Sequence, residues 1–250
     1  MKFFKNLIFC LLTVSSLGAC LRDDPVEGGE ETEDFTNLDG LSAVCLNETS
    51  NGLLVAEDNG RVYEFDLNGT PKKVFSFPEP NNKHDWEGIT KASDGTIYLC
   101  EERTREVYKL SADHKAVTLV SQGPKEGTDT NQGFEGIAAA PGVLYIANQS
   151  KPFRIYTYNL STGVWDKAFD DITWAKSLSD IYYEESDGTL WITDAKTKKL
   201  TQIQTDGTVL KTYDITCVEK PEGYCRDAAR GTYWFVCDQT SKVQKVNSLE

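Results

Sequence analysis

Apolar residues fall in short runs of four to six along most of this chain, and the runs come in pairs joined by polar turns. Ile89 opens one run, Ser93-Asp94-Gly95-Thr96 turns the chain, and Ile97-Tyr98-Leu99-Cys100 returns. A second pair, Glu106–Leu110 and residues 117–120, closes around Ser111-Ala112-Asp113. The order repeats from Ile181, through Ser186-Asp187-Gly188-Thr189, to Leu190-Trp191-Ile192-Thr193. It ends with Lys199–Ile203 and residues 209–213, joined by Thr205-Asp206-Gly207-Thr208. Asp-Gly between β-branched and aromatic runs is a strong hairpin signal. Each unit therefore predicts four short antiparallel strands.

A short acidic unit opens each of these groups. Asp85-Trp86-Glu87-Gly88-Ile89 and Gly133-Phe134-Glu135-Gly136-Ile137 are its clearest copies. Leu38-Asp39-Gly40-Leu41, Leu178-Ser179-Asp180-Ile181 and Pro221-Glu222-Gly223-Tyr224 are weaker. The acids at 39, 87, 135, 180 and 222 lie 48, 48, 45 and 42 residues apart. Four strands per unit at a near-constant period of this size describe an all-β propeller. Five blades fit residues 37–250, with six as the alternative count. The last blade ends after Lys242–Val246 without an outer strand. Only the acidic segment before residue 37, a poor strand by composition, is at hand to complete it.

Two segments stand apart from the propeller. Residues 1–20 begin with Lys2 and Lys5, continue through an apolar stretch from Leu7 to Leu17, and end Leu17-Gly18-Ala19-Cys20. A basic start, a short apolar core and small residues read as a secretory signal. Its end resembles the bacterial lipobox, which implies an acyl chain such as palmitate on Cys20 and a chain anchored in the cell envelope, at the outer membrane. Residues 21–36 carry seven acids and read as a flexible acidic tether. Arg22-Asp23-Asp24 resembles the surface-export signal of Bacteroidetes lipoproteins; a plain solvated tether is the alternative. The net charge of −13 becomes −15 once Lys2 and Lys5 leave, which repels nucleic acid and anionic headgroups and makes both poor partners; no nucleic acid is expected. Of seven cysteines, Cys45, Cys100, Cys217, Cys225 and Cys237 remain in the folded part, an odd number that leaves at least one free thiol. Their spacing is not that of a zinc site.

The motifs match a known family. The Glu-Gly-Ile openings at 87–89 and 135–137, the return strand Tyr98-Leu99-Cys100-Glu101-Glu102-Arg103, the stretch Lys151-Pro152-Phe153-Arg154-Ile155-Tyr156 and the late Pro221-Glu222-Gly223-Tyr224 occur in order. Over roughly residues 37–247 the chain resembles the SdiA-regulated family of bacterial propellers. It departs from the pattern at Asp39, where a Ser is usual, at Gln149, where an acid is expected, and at Asp238 in place of a Glu. The resemblance implies the fold and no biochemical activity.

First strands line the axial channel of a propeller, so Asp39, Glu87, Glu135, Asp180 and Glu222 are expected to converge there. A second tier comes from the ends of the returning strands, at Glu57, Glu101 or Glu102, Asn148, Asp194 and Asp238. Two carboxylates ~6 Å apart repel by about 3 kcal/mol at an effective dielectric of ~20. A bound cation, raised pKa values or an open hydrated channel relieves this. Oxygen ligands without Cys or His favour Ca²⁺ or Mg²⁺. Alternatively the Glu-Gly units serve architecture, with carboxylates accepting backbone N–H groups from the next blade and glycine allowing close approach. His84 reads as a surface loop histidine, and Trp86, Phe134, Trp165, Trp174, Trp191 and Trp234 as packing between blades. No phosphate loop, nucleophile elbow or zincin helix occurs. The expected function is binding of a small-molecule or protein ligand at one channel mouth, with Ca²⁺ organising it. A calcium-dependent hydrolase resembling lactonase or phytase-like propellers is the alternative.

Overall fold

The computed structural model describes residues 26–27, 30–32, 38–77, 84–126, 131–150, 152–170, 172–216 and 218–249. Cys20, Arg22-Asp23-Asp24 and Cys217 lie outside the described residues. Two short strands come first, β1 (Val26–Glu27) and β2 (Glu30–Thr32). Blade 1 follows as β3 (Leu41–Asn47), β4 (Gly52–Glu57), β5 (Arg61–Asp66) and β6 (Pro71–Ser76). Blade 2 is β7 (Trp86–Lys91), β8 (Ile97–Glu101), β9 (Glu106–Leu110) and β10 (Ala116–Gln122). Blade 3 is β11 (Phe134–Ala140), β12 (Val143–Asn148), β13 (Arg154–Asn159) and β14 (Trp165–Phe169). Blade 4 is β15 (Asp180–Glu184), β16 (Thr189–Asp194), β17 (Lys199–Ile203) and β18 (Val209–Asp214). Blade 5 is β19 (Pro221–Asp227), β20 (Thr232–Cys237) and β21 (Lys242–Val246).

All pairings are antiparallel and the blades form five separate sheets. The count is therefore five, not the alternative six. The inner strands β3, β7, β11, β15 and β19 pack one against the next, and β19 against β3 closes the ring. Each seam between blades holds its own apolar core. Leu54, Phe75, Trp86 and Leu99 fill the seam of blades 1 and 2. Phe134, Ile146 and Tyr156 meet Cys100 and Val107 between blades 2 and 3, and Trp234 meets Val44 and Tyr63 at the closure. Because each sheet packs on both faces, β4, β8 and β16 are buried at every position. The six large aromatics singled out in the sequence all take part in these seams.

Among the described residues the acidic segment before the propeller does not pair with blade 5. β1 pairs with β10 and β2 with β6, so blades 2 and 1 each gain a fifth strand while blade 5 has three described strands. Backbone pairing needs a free edge rather than strand-forming side chains. The four described cysteines are unbonded and buried. Burial pushes the Cys45 thiol up to about 12, and Cys100 and Cys225 well above their ordinary value. They are inert packing groups. Among the described residues no helix is long and apolar enough to cross a membrane.

Candidate functional site at the acidic mouth

The first strand of four blades begins with a β-bulge. Leu41 pairs with Glu57, Trp86 with Glu101, Phe134 with Asn148 and Pro221 with Cys237, and in each case the ladder skips one residue before resuming. The skipped residues are Ser42, Glu87, Glu135 and Glu222. A bulge frees a side chain from the ladder and re-aims it. Here it turns these four towards one another across blades. The glycine that follows, or Ala43 in blade 1, makes the close approach possible: a Cβ on Gly136 would lie 2.7 Å from Asp180 Cα, and one on Gly223 2.6 Å from Ala43 Cα.

Blade 4 departs from this plan. Its ladder opens at Asp180 opposite Thr193 without a bulge, which puts Asp180 at the glycine position and Ser179 at the bulge position. The true equivalents of Glu87 are thus Ser42 and Ser179, not Asp39 and Asp180. Asp180 is buried, and its carboxylate accepts the Tyr224 and Ile181 amides, both at 2.8 Å. Burial holds its pKa well above the usual range. It ties blade 4 to blade 5 and does not join the acidic group. Asp39 is exposed; its amide donates to Glu57 at 3.2 Å.

The second tier divides in the same way. Glu57 is fully buried and accepts Arg61, Tyr63 and the Asp39 amide. Glu101 accepts the Thr104 hydroxyl at 2.6 Å and the Asp85 amide at 3.4 Å. Asn148 donates to the Ser150 and Pro152 carbonyls and accepts Arg105. Asp194 accepts the Lys176 and Thr197 amides and the Ser177 and Thr197 hydroxyls. Despite burial, those bonds hold its pKa below the usual range. All four end a returning strand and fasten the turn after it. The residue one step further on serves the mouth instead: Asp58, Glu102 and Asp238.

At the mouth, oxygens of Asp85, Glu87 and Glu102 lie within 4.8 Å of one another. Glu102 shares hydrogen bonds with both Asp85 and Glu135 and accepts the Gly133 amide. Glu87 is bonded by Ser42 and repelled by Asp85, Glu102 and Glu222. Desolvation, then this repulsion, raises Glu87 and Glu135 well above the ordinary carboxylate range. Burial, Asp85 and Glu57 push Asp58 up to about 6, and burial with Asp85 pushes Glu102 up to about 7. Two cations answer in part. Arg103 reaches Asp85 at 3.0 Å, and Lys220 bridges Glu222 at 2.8 Å and Asp238 at 2.7 Å.

His84 is not a surface residue. It is buried and stacked on Trp86 with centroids 4.0 Å apart. Desolvation and then Arg103 lower its pKa to about 4, so it stays neutral. Asp58, Asp85, Arg103 and Lys220 are not among the site residues expected from the sequence, although Asp85 and Arg103 lie within its motifs. Asp85 had a signal, since it opens the same acidic unit as Glu87, two residues before it. Asp58 follows Glu57 as Glu102 follows Glu101.

A five-bladed propeller with a carboxylate-lined mouth is the class that fold and site define. Residues 35–215 match the family model for SdiA-regulated proteins, and the chain belongs to that family. No curated protein matches it by sequence. Similar solved structures share the fold. A protein of unknown function from Bacteroides thetaiotaomicron aligns with TM-score 0.61 at 15% identity, over 88% of this chain and 60% of that one. The chain thus spans three fifths of that protein's length. A streptogramin B lyase aligns with TM-score 0.53 at 17% identity, over 90% of this chain and 72% of that one. A gluconolactonase from Xanthomonas campestris gives 0.58 at 12% identity, over 85% and 86%.

Proposed function

We propose that the acidic mouth holds a divalent, oxygen-seeking cation, Ca²⁺, and binds a small-molecule or protein ligand there. In this reading the chain sits on the bacterial outer membrane through a lipid on Cys20. The observation that carries the metal is the convergence of Asp85, Glu87 and Glu102 within 4.8 Å, with Glu135 bonded to Glu102. The donor set is all oxygen, which suits Ca²⁺ rather than a transition metal. A bound dication favours the ionised forms that burial and repulsion now disfavour. Glu87, Glu102 and Asp85 would hold it; Ser42 steadies Glu87, and Arg103 fixes Asp85.

One observation favours an enzymatic version of the same site. Glu135, bonded to Glu102 but outside the three acids that would hold the cation, has a carboxyl raised above the ordinary range by burial and by its acidic neighbours, as a group that takes up and returns a proton near neutral pH needs. Bound metal would polarise a substrate oxygen, and Glu135 would accept the proton of an attacking water. A hydrolase of lactones or esters follows, in line with the gluconolactonase that shares the fold.

Calcium titration under thermal denaturation tests the metal. At free Ca²⁺ ~100-fold above the dissociation constant, stability should rise by about 2.7 kcal/mol. Chelator should reverse the gain, and Glu87→Gln with Glu135→Gln should abolish it. A melting curve indifferent to both calcium and chelator removes the metal and the hydrolase together. For the anchor, Cys20→Ser should release the protein from the membrane fraction, since each buried CH₂ of a lipid adds about 0.8 kcal/mol to retention. A mutant that still sediments with membranes counts against it.

A further inference from the structure

The opposite end of the channel holds a cavity of about 810 Å³ built by all five blades, within the ~300–1,000 Å³ typical of small-molecule sites. Its lining falls into layers along the inner strands. The floor is one apolar residue from each blade: Val44, Ile89, Ile137, Ile181 and Tyr224. These stand two residues beyond the acidic layer and close the cavity off from it. Two residues further come Leu46, Lys91, Ala139, Tyr183 and Arg226. This layer has two cations and no carboxylate. Five carboxylates lie elsewhere on the lining, Glu48, Asp94, Glu184, Glu185 and Asp227; Glu184 is paired with Arg226 and Asp227 with Arg230.

The two cations differ in how they are held. Arg226 is fixed 2.9 Å from Glu184, whose side chain is only 5% exposed. Lys91 meets Glu48 at 2.7 Å, but the Glu48 side chain is 71% exposed while that of Lys91 is 17% exposed. An exposed partner of this kind contributes little and swings away readily. Lys91 can therefore trade it for an anion arriving from the cavity. Blade 3 offers Ala139, Ala140 and Pro141 on its side of the cavity, a wall without charge.

We infer that this cavity is a second binding site, for a small organic carboxylate carrying an apolar chain or ring. The apolar part rests on the five-residue floor and the blade 3 wall. The carboxylate displaces Glu48 from Lys91. The site is independent of the acidic mouth and of any metal there, because no lining residue belongs to that group.

Calorimetric titration of the full chain with hexanoate, against hexanol and hexylammonium as controls, tests the assignment. Hexanoate should bind saturably at one site, and both controls should bind at least about tenfold more weakly. Lys91→Met should weaken hexanoate about tenfold or more, Lys91→Arg should retain it, and Glu48→Gln should leave it equal or tighter. If Lys91→Met fails to fold, Glu48→Gln and the two control ligands still decide. No saturable binding, equal binding of hexylammonium, or weaker binding in Glu48→Gln would overturn the assignment. So would hexanoate affinity unchanged in Lys91→Met.

Discussion

Blades 2 and 4 follow one strand plan and end with opposite chemistry at the mouth. Blade 2 supplies Asp85, Glu87 and Glu102 at its three mouth-facing positions; blade 4 supplies Ser177, Ser179 and Ala195 at the matching ones. Blade 4 is not short of acids. Three are buried, Asp180, Glu184 and Asp194; Asp180 and Asp194, the two near the mouth, accept six hydrogen bonds between them, all from N–H or O–H groups. Buried carboxylates satisfied in this way are framework. Those of blade 2 mostly face one another, more negative charge than the framework requires. The difference separates acids that hold the propeller together from acids that await a cation or a proton.

Removing a framework acid should therefore have the largest effect. Asp194→Ala leaves the Lys176 and Thr197 amides and the Ser177 hydroxyl without their acceptor and should cost about 3 kcal/mol in urea unfolding. In a domain of this size that is a fall in melting temperature of roughly 6–12 °C. Glu87→Gln without metal should cost nothing or stabilise. Equal losses for the two variants would erase the distinction. Gly136→Ala probes the seam beside the mouth. Its new Cβ meets Asp180 at 2.7 Å, and such overpacking should cost about 2 kcal/mol. Loss of less than half that would mean blade 4 can retreat.

The repeat of strand pairs and Asp-Gly turns made the propeller and its five blades legible, because hairpin signals are local. The acidic convergence was legible in kind: Glu87, Glu135 and Glu102 meet at the channel. Register was not. Asp39 and Asp180 sit near Glu87's place in the repeat, but a bulge present in four blades and absent in blade 4 shifts the alignment by one residue at Asp180. In blade 1 the counterpart of Glu87 is Ser42, three residues after Asp39. The glycines at 88, 136 and 223 mark a bulge or a close approach of the next blade's backbone, but nothing in blade 4 announces that its bulge is missing. The destination of the acidic N-terminal segment was hidden for a similar reason. β1 and β2 pair through backbone groups at edges that exist only once blades 1 and 2 have formed.

The smallest effect is the most specific to the blade 2 acids. Glu102 has a folded pKa of about 7 against an ordinary 4.5. A carboxyl whose pKa is raised on folding holds its proton better in the folded chain, so stability is lost as pH rises from the unfolded to the folded value. His84 works the other way: its pKa of about 4 against 6.5 adds stability as pH rises through that window. The wild-type curve mixes these with Asp58, Glu87 and Glu135, which are raised too, and the difference between wild type and Glu102→Gln reports the carboxyl together with the neighbours bonded to it. At pH 5 the two proteins should melt together. By pH 7.5 and without metal, Glu102→Gln should be more stable by about 1 kcal/mol, a value reduced for solvent screening, or roughly 2–4 °C. Saturating Ca²⁺ should reverse the order, because the cation binds the ionised wild-type group and the amide serves it poorly. A difference that stays flat from pH 5 to 7.5 would place Glu102 with Asp194 among the satisfied acids, and blade 2 would then differ from blade 4 only in sequence.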